Sequence, residues 1–386
     1  MKTLITFLGR VPKIEGKYRT TVYRFPDGSE SQPVAFLGWE LQRRLAADRL
    51  VILGTSGSMW DHLFEVDLDL AGSEDQRLRL MEAVERKRVE VSHLKPLQPL
   101  LQKTLGCEVK LELIPYAYTE AEQIELLRIM AKNLPQKETV HLDVTHGFRH
   151  LPMLALLAAL YLQRVKGAQI EGIWYGSFDP DTKEATVLDL GGLLHLADWL
   201  QALATYDKSG DYGVFADLLG PSGQLLREAA FFERTTNPVK ARQQLTAWRE
   251  PSTGQDPAYD LFRDELHRQI SWWKRPDRAA WEKELAWRYF ERGDYLRAAI
   301  FGLESAVSKA VLDERGNPND YDQRERARKA LRETLDGFRT LHHLRNAFAH
   351  GVLPQDQKIR KAIAGENNLK ATLGSLLKQI LGPRES

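Results

Sequence analysis

The sequence contains a single cysteine, Cys107, among 386 residues, which excludes an internal disulfide and a thiolate metal cluster. It also lacks an excess of charge of either sign, since 54 basic and 53 acidic residues give a formal net charge of +1. Proteins that coat duplex nucleic acid by charge alone need a positive excess, so this balance argues against that class. A short single-stranded RNA held in a local pocket remains compatible with it.

Long apolar runs are absent as well. The apolar start of the chain is too short for a signal sequence. The longest apolar stretch, around residues 151–162, is well short of the roughly 20 residues that a membrane span needs. We therefore expect a cytoplasmic protein with no membrane partner. A hydrophobic content of 43% over this length is enough for two domains, each with its own core.

Short β-rich runs alternate with helical patterns through residues 1–205. The predicted strands cover residues 3–8, 17–25 (within a hairpin), 50–53, 109–115, 140–144, 170–175 and 185–190. One intervening helix opens on a capping box, in which Glu122 follows Thr119 by three residues. This alternation predicts an α/β Rossmann-like domain with a mostly parallel sheet covered on both faces.

Three polar loops follow predicted strands, and each offers small residues, hydroxyls or exposed amides. They contain Gly9 and Arg10; Thr55, Ser56 and Ser58; and Thr145, His146, Gly147 and Arg149. Parallel sheets bind ligands beyond the carboxyl ends of their strands, and the third loop also opens a helix whose N–H groups favour an anion. The loops together indicate a site for a phosphate-bearing ligand. None matches the Walker phosphate-binding loop, and no metal site is expected.

Strand signals fade after about residue 206. Residues 206–270 are interpreted as a helical linker region, and residues 271–386 as an all-α domain. Glu304 lies in an otherwise apolar helical stretch, where a buried acid needs a partner. Arg345 is the candidate partner, and the alternative is that Glu304 faces water.

The most informative stretch of the second half runs from Arg345 to His350, before the stop signals Gly351 and Pro354. Asn346 and His350 are four residues apart and share one helix face, so the Asn346 amide is expected to orient the imidazole. Histidine suits proton transfer near neutral pH, and arginine can hold phosphate oxygens. The spacing alone fits a surface cation and a capping histidine equally well.

Two motifs, in this order along the chain, resemble those of known families. The run from Asp143 to Arg149 (DVTHGFR) lies between a strand and an apolar helix and resembles the signature of CARF domains, the ring-nucleotide sensors of type III CRISPR defence. The first strand, ending in Gly9 and Arg10, is similar to the opening of these proteins. The stretch ending in His350 resembles the Arg-x4-6-His motif of HEPN ribonucleases. The resemblance spans nearly the whole chain, with a CARF sensor over residues 1–205 and a HEPN domain over residues 271–386.

The resemblance implies a homodimer that binds cyclic oligoadenylate as an allosteric activator, without a cofactor, and cyclic tetra-adenylate is the expected ring. The implied binding residues are Gly9, Arg10, Thr55, Ser56, Ser58, Thr145, His146, Gly147 and Arg149. Arg345 and His350 are the implied catalytic residues, with Asn346 as a polar helper, in metal-independent cleavage of single-stranded RNA to 2′,3′-cyclic phosphate ends.

Three alternatives remain open at this point. The chain is compatible with a nucleotide-binding regulator that has no RNase activity, and with a sensor that also degrades its own activator. The third alternative is a DNA-directed enzyme or regulator. The near-neutral charge and the lack of a recognisable DNA-reading motif count against double-stranded DNA as a partner.

Overall fold

The computed structural model describes residues 1–64, 72–147, 150–182, 184–252, 254–350 and 355–384. The chain divides into two compact units, Met1–His195 and Leu196–Ser386. Within the described residues, no helix combines the length and the apolar character required to cross a membrane.

The first unit is built on β-strands that are mostly parallel. They are β1 (Lys2–Leu8), β2 (Lys13–Ile14), β3 (Lys17–Tyr18), β4 (Tyr23–Arg24), β5 (Arg49–Gly54), β6 (Glu108–Leu113), β7 (Thr139–Asp143), β8 (Gln169–Phe178) and β9 (Ala185–Asp189). β2 and β3 form a small antiparallel hairpin, and the others form one sheet in the order β4-β9-β8-β7-β1-β5-β6. Only β8 and β9 are antiparallel neighbours in it. The predicted α/β class is therefore confirmed.

The single strand predicted over residues 17–25 is wrong. This stretch is divided between β3, which pairs with β2, and β4, which pairs in parallel with β9 at the edge of the large sheet. The hairpin expected at the end of this stretch is formed, because the N–H of Gly28 donates to the carbonyl of Phe25 over 2.9 Å and Arg24 makes an antiparallel bridge with Glu30. The β2–β3 hairpin is an additional one, and it turns at Glu15 and Gly16, which both adopt positive φ (49° and 82°).

Helices cover both faces of the sheet. They are α1 (Leu37–Leu45), α2 (Glu74–Glu85), α3 (Val91–Leu94), α4 (Gln98–Leu105), α5 (Glu120–Lys132) and α6 (Leu151–Tyr161), the last continued by a π-helical segment, Leu162–Lys166. In β5, Leu50 and Ile52 belong to the core shared with α1–α4, whereas Val51 and Leu53 belong to the core shared with α5 and α6. Successive side chains of a strand point to opposite faces, so this alternation places a core on each side.

The strand order reverses beside β1. From β1 the chain moves to β5 and β6 on one side, and then returns to β7 and β8 on the other. In such sheets, ligands bind in the crevice beyond the carboxyl ends of the strands at this reversal. The loops after β1, β5 and β7 lie at that edge.

The second unit is all-α within its described residues, as predicted. Its helices are the C-terminal part of α7 (Gly192–Ser209), α8 (Gly223–Arg234), α9 (Pro238–Ala247), α10 (Pro257–Ile270), α11 (Arg278–Glu291), α12 (Tyr295–Asp313), α13 (Tyr321–Thr334), α14 (Asp336–His350), α15 (Gln357–Ala362) and α16 (Glu366–Leu381). Phe338, Leu341 and Leu344 anchor α14 in the common core. Tyr212 and Leu226 belong to the same core, so the stretch 206–270 is part of this unit.

Candidate functional site

A cavity of about 270 Å³ opens at the carboxyl ends of β1, β5 and β6. Its lining consists of Phe7, Leu8, Gly9, Arg10, Leu53, Thr55, Gly57, Ser58, Lys87, Ile114, Tyr116, Gly147 and Leu151. The cavity thus brings together five predicted site residues from three separate loops. Ser56 lies beside it, with its Oγ 3.3 Å from Oη of the lining residue Tyr116.

Two glycines allow the first and third loops to approach each other. A Cβ atom on Gly9 would lie only 2.5 Å from the backbone nitrogen of Gly147, so any side chain there would push the loops apart. Gly147 has φ +129°, a conformation that residues with a Cβ rarely adopt. Both glycines are therefore required by the backbone path that forms the floor of the cavity.

The second loop is fixed by hydrogen bonds within the protein. The backbone N–H of Thr55 donates to Oγ of Ser58 over 2.9 Å, and both residues are buried. The indole N–H of Trp60 donates to the carbonyl of Thr55 over 2.8 Å, and the N–H of Val89 donates to the carbonyl of Ser56 over 3.1 Å. The loop therefore presents its hydroxyls from a preorganised backbone.

Both charged side chains of the described cavity lining are cations. They are Arg10 and Lys87, which are exposed, and no carboxylate is found among the described lining residues. The Arg10 guanidinium makes one long contact, 3.5 Å to the carbonyl of Val84. Sequence reasoning missed Lys87, which is brought here only by the tertiary fold.

Thr145 and His146 face other partners and do not line the cavity. The Thr145 hydroxyl accepts a hydrogen bond of 2.8 Å from the N–H of Gly176 in β8. Nε2 of His146 accepts one of 3.1 Å from the N–H of Leu37, the first residue of α1. Burial lowers the pKa of His146 to about 4, so the ring is neutral at pH 7 and carries no charge toward a ligand. Arg149, the remaining predicted binding residue, lies outside the described residues.

Asp143, which opens the DVTHGFR run, organises the loop from inside. Its carboxylate is buried and accepts hydrogen bonds from the hydroxyl of Thr6, at 2.6 Å, and from the N–H of Thr145, at 3.0 Å. Burial raises the pKa of this carboxyl above its usual value, although both hydrogen bonds oppose the shift. Asp143 therefore ties β7 to β1 just below the cavity.

In the second unit, the predicted catalytic residues lie on the last turns of α14. Arg345 and Asn346 are half-buried, and His350, the final residue of the helix, is exposed. The expected contact between Asn346 and His350 is not formed; Nδ2 of Asn346 lies 3.5 Å from Nδ1 of His342 instead. Among the described residues, the side chains of Arg345 and His350 make no hydrogen bond or ion pair.

His342 is a second histidine on this helix that sequence reasoning did not use. Its pKa is lowered to about 4, mainly by burial and to a smaller extent by the nearby positive charges of Arg332 and Arg345. The ring contacts the guanidinium of Arg332 directly. A general base works best when its pKa lies near the operating pH, so His342 is poorly suited to proton transfer at pH 7.

Glu304 does not pair with Arg345, which corrects the expectation from sequence. Its carboxylate binds Arg328, with Nη2 to Oε1 at 2.8 Å, and Arg324, with Nη2 to Oε2 at 2.5 Å. Both arginines come from α13, one helix earlier in the chain than α14. Arg345 is thereby left without a carboxylate partner in the described part of the chain.

Comparison with known proteins shows which family the first unit resembles. Residues 3–180 match the family model for the CARF domain of CRISPR system endoribonuclease Csx1, and this segment contains the whole cavity lining. CRISPR-associated protein MJ1674 of Methanocaldococcus jannaschii is 22% identical over 244 residues, which is 57% of this chain and 38% of that protein. The chain thus matches well under half the length of this curated relative. The first unit is therefore similar to a CARF domain, and the cavity at the sheet edge lies within the matched segment.

Proposed function

We propose that the protein is a cyclic-oligoadenylate-activated, metal-independent endoribonuclease of type III CRISPR antiviral defence. The CARF domain binds the ring nucleotide, and the helical unit is a HEPN domain that cuts single-stranded RNA. The observation that carries the proposal is the cavity within the CARF-matched segment, whose described lining includes two cations and no carboxylate. Positive charge without a competing acid favours a ligand rich in phosphates.

The cavity offers three kinds of contact to a ring nucleotide. Arg10 and Lys87 neutralise phosphate charge, and the buried hydroxyls of Thr55 and Ser58 provide polar partners at fixed positions. The backbones of Gly9 and Gly147, which both line the cavity, are the third kind of contact. Cyclic tetra-adenylate is the first ring to test.

A homodimer fits an apolar stripe on α6. Met153, Leu157 and Tyr161 are spaced four residues apart on one face and are 73%, 57% and 40% exposed. Exposed apolar patches of this kind mark interaction surfaces. Leu151 of the same helix lines the cavity, so pairing of two copies through this stripe brings the cavity of each protomer close to the interface.

The proposed chemistry uses the end of α14 from each of two subunits. The ribose 2′-oxygen attacks the adjacent phosphorus while its proton moves to an imidazole of His350. The bond from phosphorus to the 5′-oxygen breaks, and the leaving oxygen takes up a proton, which yields a 2′,3′-cyclic phosphate and a 5′-hydroxyl. Arg345 stabilises the charge on the phosphoryl oxygens, and Asn346 holds the substrate by hydrogen bonding.

Activation in this proposal is a population shift. Without ligand, the two His350–Arg345 sets are misaligned, and a displacement of about 1 Å is enough to slow catalysis strongly. The ring nucleotide binds the aligned dimer more tightly and so raises its population.

The direct test incubates the full chain with 5′-labelled single-stranded RNA in EDTA, with and without cyclic tetra-adenylate. We expect cleavage only with the ring, and products that carry 2′,3′-cyclic phosphate. Binding of the ring without cleavage would identify a regulator that lacks RNase activity. Loss of the ring during incubation, with intact RNA, would identify a sensor that degrades its activator.

A further inference from the structure

A pair of stacked tyrosines, Tyr116 and Tyr118, adjoins the cavity. The rings of Tyr116 and Tyr118 stack with centroids 5.6 Å apart and planes inclined by 17°. Tyr116 lines the cavity, whereas 68% of the surface of Tyr118 is exposed. A large, exposed aromatic ring stacked onto the wall of a phosphate-binding cavity is an arrangement that fits a nucleobase.

The loop that carries these rings is held in place. The N–H of Ile114 donates to the carbonyl of Gly54 over 3.0 Å, which joins the start of the loop to the end of β5. The carboxylate of Glu122 accepts a hydrogen bond of 2.8 Å from the N–H of Tyr118. Nε2 of His150 lies 3.0 Å from the carbonyl oxygen of Tyr116. Because the loop is already restrained, ordering it around a ligand costs little conformational entropy.

The loop is also packed against the phosphate side of the cavity. A Cβ atom added to Gly57 would lie 2.9 Å from Oη of Tyr116 and 3.6 Å from Cβ of Lys87, so the three residues are in close proximity. Lys87 has φ +54° and is exposed, and its ammonium makes no ion pair within the described residues. An aromatic ring and a cation without a described ion-pair partner thus both lie beside Gly57.

We propose that Tyr118, backed by Tyr116, stacks against one adenine base of the ring nucleotide, and that Lys87 contacts the phosphate adjoining that base. This inference rests on the proposed function of the cavity, and it adds a reason for base selectivity. Purines present a larger π surface than pyrimidines, so the stack favours an adenine ring over a uracil ring of the same size.

The test measures affinities of the full chain for cyclic tetra-adenylate and for cyclic tetra-uridylate by calorimetry. Tyr118→Ala is expected to weaken adenylate binding by about tenfold to a hundredfold, which is the range for loss of one base–aromatic stack. Tyr118→Phe keeps the ring and should bind like the parent protein. Tyr321→Ala, which removes a tyrosine of the second unit that is 75% exposed, is the matched control.

The ratio of the affinities for cyclic tetra-adenylate and cyclic tetra-uridylate shows whether Tyr118 stacks on a base or only supports the fold. Tyr118→Ala should reduce the preference for adenylate over uridylate, whereas Lys87→Ala should weaken both rings several-fold and leave the ratio unchanged. An unchanged affinity or an unchanged ratio in Tyr118→Ala, while the parent binds cyclic tetra-adenylate, overturns this inference alone. A parent protein that binds no cyclic oligoadenylate overturns the proposed function, and this inference with it.

Discussion

The sensor cavity and the end of α14 differ in how much of each site a single chain provides. The cavity has a floor of two touching glycine-containing loops, buried hydroxyls and two cations, all from residues 7–151. On α14, His350 is exposed, and no described side-chain hydrogen bond joins it to Arg345 or Asn346. Ligand binding should therefore be a property of one fold, while cleavage should depend on how two copies are arranged.

Replacing the imidazole at the end of α14 should have the largest effect. His350→Ala should lower the rate of activated RNA cleavage by about 10²–10⁴-fold, the usual contribution of a general acid–base group. The affinity for cyclic tetra-adenylate should stay the same, because the cavity lies in the other unit. His343→Ala, which alters another exposed histidine of the same helix, is the control and should keep the activity. Cleavage at the parental rate in His350→Ala would contradict this role.

Adding a methyl group at the cavity floor should affect binding next most strongly. In Gly9→Ala, the new Cβ meets the backbone nitrogen of Gly147, and the strain of overpacking is typically about 1–3 kcal/mol. We expect the affinity for cyclic tetra-adenylate to fall by about tenfold or more in calorimetry. Gly192→Ala serves as the control, since a Cβ there has no neighbour within 4 Å. Equal affinities of the two variants would show that the loops tolerate separation.

A charge in the apolar stripe of α6 should break the dimer. Leu157→Asp places a carboxylate on a face that is 57% exposed in the single chain, so the monomer should fold normally. Sedimentation velocity at micromolar concentration is expected to show a monomer, together with loss of activated RNA cleavage. Lys132→Asp on α5 provides a control for the added negative charge. If Leu157→Asp sediments like the parent protein, the stripe is not part of a dimer interface.

The smallest expected effect concerns stability in acid. The pKa of His146 falls from 6.5 to about 4 in the folded protein, so below pH 6.5 the unfolded chain binds the extra proton first. The free energy of unfolding of the sensor unit should therefore decrease as the pH falls from about 6.5 to about 4. His146→Gln keeps an acceptor for the N–H of Leu37 but does not titrate, so its melting temperature should fall less, by a few degrees, over this range. Parallel melting curves for the two proteins from pH 7.5 to 4.5 would contradict the shift.

Much of the first unit follows from the sequence because its signals are local. Apolar runs gave β1, β5 and β7, and the capping box at Thr119 is confirmed at the start of α5, where the side chain of Thr119 accepts from the N–H of Glu122. The meeting of the polar loops could also be predicted, because the carboxyl ends of parallel strands share one edge. The position of Lys87 at the cavity could not be predicted, because Lys87 belongs to a segment with no strand-end signal and reaches the cavity only through the tertiary fold.

Side-chain direction was the harder part to predict. Thr145 and His146 occupy the right loop, but the positive φ of Gly147 and the buried Asp143 set a backbone path on which they face β8 and α1. On α14, Asn346 is four residues from both His342 and His350, and spacing cannot choose between them. The structure selects His342.

In the proposed function, occupancy of the cavity in the first unit controls cleavage at the end of α14. The most direct measurement titrates the full chain with cyclic tetra-adenylate in EDTA and records ring binding and RNA cleavage rate in parallel, for the parent and for Gly9→Ala. We expect the cleavage rate to follow occupancy, and the binding and cleavage curves of Gly9→Ala to shift by the same factor. Cleavage at full rate without the ring, or no cleavage at saturating occupancy, would contradict it.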